Sequence, residues 1–237
     1  MQRADLKIKV FADGADLGSV AESSKNPLIA GYTTNPTLIH KAGLSDYESF
    51  AKEFLVYVDQ DPVSFEVLAD EPAEMVRQAR AISRWGDNVY VKMPVTNTQG
   101  VSMASEVKAL SSDGIKVNVT AIFTSGQVET MAEAVSGGAP SNLSIFAGRI
   151  ADAGVDPIPI VRQAVDICAE LPSCELIWAS PREVLNAVQA DSVGCHIITM
   201  TPDLIAKLDL LGKDLEQFSL DTVKMFHDDA RSAGLTV

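Results

Sequence analysis

Basic residues are in short supply in this sequence. Lys and Arg number 19 against 32 Asp and Glu, a formal charge of −13. That balance argues against nucleic acid or an anionic membrane as a partner, and it means that a phosphate ligand would need local arginines. Cysteine is scarce as well. Cys168, Cys174 and Cys195 form an odd set of three with no CxxC or Cys/His spacing, so a disulfide framework is not expected and a reduced, cytoplasmic protein is. No apolar signal region follows Met1-Gln2-Arg3-Ala4-Asp5, and no window approaches a membrane-spanning length. Nor is any low-complexity or Pro/Gly/Ser-rich stretch long enough to separate domains.

What is present is a regular alternation of two periods. The chain has 237 residues, 46% hydrophobic and 22% charged, enough to bury a sizeable core and about the size of one eight-fold β/α barrel. Apolar residues at period 2 predict strands over 8–12, 30–34, 63–68, 88–95, 116–121, 143–147, 175–179 and 196–199. Period 3.6 predicts helices over 15–23, 46–58, 72–85, 101–110, 125–134, 158–171, 181–189 and 202–211, and a last helix over 220–233 with no strand before it. Phe218, Val223, Met225 and Phe226 are its apolar anchors, set either to cover the barrel or to pack on a neighbour, and Met225 and Phe226 read as core. Strand-helix units in unbroken succession point to a single α/β domain over 1–237, a closed (β/α)8 TIM barrel with an additional C-terminal helix. An open doubly wound sheet is the alternative. Asp13-Gly14-Ala15-Asp16, after the first strand, does not match the glycine-rich phosphate fingerprint of that class.

The parity of polar residues within the strands locates the chemistry. Ile8, Val10 and Ala12 share one face and leave Phe11 and Asp13 on the other. Val63, Phe65 and Val67 leave Ser64 and Glu66; Val89, Val91 and Met93 leave Tyr90 and Lys92. Val117, Val119 and Ala121 leave Asn118 and Thr120, and Leu143, Ile145 and Ala147 leave Ser144 and Phe146. The apolar parity suits a covering of helices, so Asp13, Glu66, Lys92, Thr120 and Ser144 should meet at the C-terminal end of the barrel, where Asn35 joins them from the end of the second strand. A lysine in mid-strand is either solvated or buried; burial disfavours its charged form, and a neutral amine is a nucleophile towards carbonyls. Two carboxylates, an amine, an amide and two hydroxyls can satisfy one another, so an ion-pair network that serves only specificity is the plain alternative to a reactive centre.

These residues stand in stretches that resemble the transaldolase family of class I aldolases. The matches are Asp13-Gly14-Ala15-Asp16-Leu17, Gly31-Tyr32-Thr33-Thr34-Asn35-Pro36-Thr37-Leu38-Ile39, Val91-Lys92-Met93-Pro94-Val95-Thr96, Val117-Asn118-Val119-Thr120-Ala121-Ile122-Phe123, Ser144-Ile145-Phe146-Ala147-Gly148-Arg149-Ile150 and Ala179-Ser180-Pro181-Arg182. They cover nearly the whole chain, in order. The resemblance implies a Schiff base between Lys92 and a ketose donor, with Asp13 taking the C4 hydroxyl proton as the C3–C4 bond breaks. It implies that Glu66 and Thr120 hold a catalytic water, that Asn35 and Ser144 bind the dihydroxyacetone portion and help hold the lysine, and that Thr33 and Phe146 join the substrate-binding set. Arg149, Ser180 and Arg182 then match the terminal-phosphate site, although Ser-Pro-Arg stands where the family more often has Ser-Phe-Arg or Ser-Phe-Lys, and Glu183 beside Arg182 leaves room for a non-standard donor.

The implied activity is transfer of a dihydroxyacetone unit from sedoheptulose 7-phosphate or fructose 6-phosphate to glyceraldehyde 3-phosphate or erythrose 4-phosphate, in the pentose phosphate pathway. No cofactor and no metal are expected; class II aldolases use a metal, and His40, His196 and His227 show no convergent ligand spacing. The family implies a homo-oligomer without fixing its size. A fructose-6-phosphate aldolase-like enzyme releasing free dihydroxyacetone is the nearest alternative. That branch typically has Gln at the position of Glu66 and Tyr at that of Phe146, so both residues here match the transferase branch. A non-catalytic sugar-phosphate-binding barrel is the second alternative.

Overall fold

The β-branched runs do form strands. In a computed structural model describing residues 2–41, 46–58 and 60–235, these are β1 (Lys9–Asp13), β2 (Ile29–Thr33), β3 (Val63–Glu66), β4 (Val89–Pro94), β5 (Val117–Ile122), β6 (Ser141–Ile145), β7 (Cys174–Trp178) and β8 (Ile197–Met200). Residues 1, 42–45, 59, 236 and 237 of the expected 1–237 domain lie outside the described residues. All neighbouring strands are parallel, and β8 pairs back onto β1, from Lys9 with Ile197 to Ala12 with Met200. The sheet is therefore a closed eight-stranded (β/α)8 barrel, and the open-sheet alternative falls.

Around it run α1 (Leu17–Ser23), α2 (Pro36–Lys41), α3 (Tyr47–Val58), α4 (Pro72–Ile82), α5 (Ala104–Ser112), α6 (Ser125–Val135), α7 (Ala147–Asp152), α8 (Ile158–Ala169), α9 (Leu185–Ser192), α10 (Pro202–Lys207) and α11 (Leu215–Ser232). Local chemistry sets several of these ends. Asp16 caps α1 by accepting from the Ser19 N–H at 2.8 Å, which is why that helix opens at Leu17 and not at residue 15. Thr124 and Gln127 form a capping box at the start of α6, and Pro72 occupies the first turn of α4, where a missing N–H costs nothing.

Other boundaries move for reasons that bear on the site. β3 stops at Glu66, short of residue 68, because the N–H groups of Leu68 and Ala69 go to the Gln78 side chain at 2.7 and 3.0 Å. β6 ends at Ile145, and Ala147, expected in the strand, opens the unpredicted α7. α9 starts at Leu185, not at 181, since the N–H groups of Arg182 and Glu183 bond the Asn186 side chain and leave 181–184 as a loop. The last helix is longer than expected, and of its two expected roles the covering of the barrel by Met225 and Phe226 is overturned. None of its residues is buried, and Met225 and Phe226 are 50% and 63% exposed.

Outward-facing Val91, Met93, Val117, Val119, Leu143 and Ile145 join one apolar cluster with Met75, Ala79, Val107, Val128, Met131 and Val161 of the helices. The barrel interior is divided into two halves. On the β3–β6 side the Asn118 side chain donates to Ser64 Oγ at 3.0 Å and accepts from Ser144 Oγ at 2.7 Å. On the β7–β8–β1 side Phe11, Ile177, Ala179 and Ile197 form a separate apolar cluster, against which Phe146 packs. Phe11 fits because β2 places a glycine opposite it: a Cβ on Gly31 would lie 2.5–2.8 Å from three atoms of the Phe11 ring. Gly31→Ala is thus expected to overpack the interior and lower unfolding stability by about 1–3 kcal/mol. Denaturant melts test this, and an unchanged midpoint would show that the ring gives way freely.

Candidate active site

Lys92 sits in the middle of β4, registered directly beside Glu66 of β3. Only 6% of the residue is exposed. Its Nζ donates to the Thr34 carbonyl at 2.7 Å and lies 3.3 Å from Glu66 Oε2. The strand parity carries the lysine inward, and the close β3–β4 pairing places the carboxylate alongside.

On the opposite side of the opening, Asp13 ends β1 next to Thr33 of β2. Thr33 Oγ1 donates to Asp13 Oδ1 at 2.8 Å, and Asn35 Nδ2 approaches Oδ2 at 3.5 Å. Thr33 also shares a hydrogen bond with Thr199. A hydroxyl has one proton; with that of Thr33 given to Asp13, Thr199 must be the donor in the second bond. Burial pushes the Asp13 carboxyl above its ordinary range, while the nearby Lys92 charge and the bonds from Thr33 and Asn35 pull the other way. The site therefore holds a carboxyl that takes up a proton more readily than an exposed one.

The remaining hydroxyls have distinct duties. Ser144 commits its proton to Asn118 and so presents acceptor lone pairs to the opening. Thr120 Oγ1 is buried without a hydrogen-bond partner among the described residues. Just after it, Ala121 adopts a positive φ of 60°, as does Ser180 beyond β7; such conformations cost about 1–3 kcal/mol each and gather at functional sites. Gly148 explains how the loops after β6 and β7 meet, because a Cβ there would lie 1.6 Å from the Ser180 carbonyl oxygen. That approach brings Arg149 and Ser180 to one rim. The Arg149 guanidinium stacks over the Phe146 ring, 5.1 Å from its centroid.

Asp13, Thr33, Asn35, Glu66, Lys92, Thr120, Ser144, Phe146, Arg149, Ser180 and Arg182 all line one cavity of about 520 Å³ at the C-terminal end of the barrel. Every side chain singled out from the sequence is thus brought together. Arg182 is not free, however: both ends of its guanidinium engage Asp152 of α7, in a half-exposed pair. The acidic group that engages it is Asp152. Sequence reasoning also missed Thr199, which lines the cavity; extending the parity reading to β8 would have found it. Asn118 shared the parity of Thr120 and was passed over. Nothing in the sequence signals Tyr47, whose hydroxyl accepts from the Glu66 N–H at 2.8 Å.

The raised Asp13 carboxyl fixes the sign of one effect. Its proton is held more tightly in the folded protein than in the unfolded one, so its contribution is fully present below the ordinary carboxylate range, about pH 4, and is lost as pH rises through the folded value. Asp13→Asn is accordingly expected to melt above the parent protein at pH 7, with a gap that closes as the pH falls towards about 4. A variant that melts lower at pH 7, or a gap that does not narrow on acidification, would contradict this.

Comparison with known proteins agrees with the geometry. The family profile described as "Transaldolase/Fructose-6-phosphate aldolase" matches residues 10–236. A "Probable transaldolase" of Thermoanaerobacter sp. (strain X514) is 34% identical over 231 residues, 97% of this chain and 100% of the relative. Another of Dehalococcoides mccartyi is 36% identical over 81% of this chain and 86% of its own length. A "Probable transaldolase 2" of Listeria monocytogenes is 36% identical over 90% of this chain and 95% of its own. Among solved structures, 2,3-dimethylmalate lyase, a PEP mutase/isocitrate lyase superfamily member, superposes with a TM-score of 0.56 at 12% identity, covering 98% of this chain and 86% of that one; the likeness is one of fold alone.

Proposed function

Because the chain belongs to the transaldolase/fructose-6-phosphate aldolase family, we propose that it is a transaldolase that moves a dihydroxyacetone unit between sugar phosphates through a Schiff base on Lys92. The observation that carries this reading is the buried Lys92 Nζ, 3.3 Å from the Glu66 carboxylate in a cavity that it shares with Asp13.

Lys92 Nζ attacks the C2 carbonyl of the ketose, and loss of water gives a protonated imine. Asp13 takes the proton of the C4 hydroxyl; the C3–C4 bond breaks, the aldose leaves, and its electron pair settles on C3 as an enamine. A carboxyl with raised proton affinity suits this exchange, since it must both accept and return a proton. Glu66 and the Thr120 hydroxyl, which has no hydrogen-bond partner among the described residues, hold the water and move its proton during imine formation and hydrolysis. Ser144, with acceptor lone pairs open to the cavity, and Asn35 bind the hydroxyls of the dihydroxyacetone unit, and Thr33 keeps Asp13 in place. Arg149 and Ser180 take the terminal phosphate, with Arg182 joining once the anion draws it from Asp152.

Transfer is favoured over release by two residues. Glu66 puts a carboxylate beside the amine, and Phe146 has no hydroxyl with which to direct water at the enamine; its ring packs against Phe123 and under Arg149. The second reading, an aldolase that releases dihydroxyacetone, is separated by the same experiment that tests the first. With fructose 6-phosphate and borohydride, the parent protein is expected to gain a covalent adduct on Lys92. Lys92→Ala is expected to gain none and to lose activity by at least about 10³-fold. Omitting erythrose 4-phosphate is expected to stop turnover. An undiminished adduct in Lys92→Ala would remove this lysine from the chemistry, and equal turnover without acceptor would make the enzyme an aldolase.

A further inference from the structure

The main-chain N–H of Glu66 is held by a side chain and not by the sheet. β2 and β3 pair at Tyr32 with Val63 and at Thr33 with Ser64, and their ladder runs from the Tyr32 N–H to the Pro62 carbonyl and from the Thr34 N–H to the Ser64 carbonyl, at 2.8 and 3.2 Å. In a parallel ladder with that spacing, the next rung sends the Glu66 N–H to the Thr34 carbonyl. That carbonyl instead accepts from Lys92 Nζ at 2.7 Å. The Glu66 N–H goes to the Tyr47 hydroxyl at 2.8 Å.

We propose that Tyr47 is a positioning residue for Lys92 and Glu66: its hydroxyl replaces one rung of the sheet, which frees the Thr34 carbonyl to hold the amine. The inference rests on the Schiff-base reading of Lys92 given above. Tyr47 opens α3 on the outside of the barrel, away from the cavity-lining side chains, and acts only through its neighbours. Its ring is fixed edge-to-face against Phe65 at 6.2 Å and Trp85 at 5.4 Å. Burial pushes its phenol further above the ordinary range, against the pull of the Glu66 N–H and Thr34, so the hydroxyl stays neutral. Without the oxygen, the Glu66 N–H would be left unpaired, and the nearest remedy is the Thr34 carbonyl. Lys92 would then compete with the backbone for its own anchor.

Tyr47→Phe isolates the effect, because it keeps the ring and removes only the oxygen. The expected result is a fall of about tenfold or more in kcat and in the rate of borohydride-trappable adduct formation, the size of effect that a small misplacement of a reacting group produces. KM for fructose 6-phosphate is expected to stay within about twofold, since Tyr47 touches none of the residues assigned to the sugar or its phosphate. An adduct formed at the parental rate, or a raised KM with kcat held, would overturn the proposal while leaving the Schiff-base reading intact. Failure of the parent protein to form any adduct would instead remove that reading. Should Tyr47→Phe not fold, 3-fluorotyrosine at position 47 keeps the ring and offers a poorer acceptor; slower adduct formation supports the role and an unchanged rate refutes it.

Discussion

The contact between Lys92 Nζ and the Thr34 carbonyl is the interaction around which this molecule is arranged. An amine 6% exposed inside a barrel needs partners that water would otherwise supply. Here one is a carbonyl at the end of β2 and the other a carboxylate on β3. Both come from neighbours that the closed sheet holds in fixed register, so the amine has a defined position before any substrate arrives. Preorganisation of this kind is what makes a side chain useful to catalysis.

The division of the barrel interior follows from the same need. On one side, Asn118 links Ser144 to Ser64 through hydrogen bonds, the kind of pairing that buried polar groups need. On the other side, Phe11, Ile177 and Ile197 fill the space with apolar volume. Asp13 ends β1 two residues after Phe11 of that cluster, and burial is the largest influence on its proton affinity even with Lys92 nearby.

Much of this was legible in the strands. A period of 2 separates two faces, so the inward set from Asp13 to Ser144 could be read from parity, and the succession of strand and helix specified a closed barrel. Parity failed at Ala121, expected against the helices, which lines the cavity because its positive φ breaks the alternation. Boundaries were less legible, because side chains of other segments decide them: Gln78 ends β3 and Asn186 delays α9. The pairing of Arg182 with Asp152 was invisible for the same reason, since it joins two loops that only the fold brings together. The outer face of α11 misled in another way. Its apolar residues carry the period of a buried helix, yet they stand exposed, and periodicity reports only that a face is apolar, never what covers it.

The most direct measurement is a crystal structure of the protein after reduction with fructose 6-phosphate and borohydride. Continuous density is expected from Lys92 Nζ to C2 of a three-carbon dihydroxyacetone unit, the aldose having left, with C3 facing the Asp13 carboxyl. Density on another lysine, or a C3 turned away from Asp13, would contradict the Schiff-base reading.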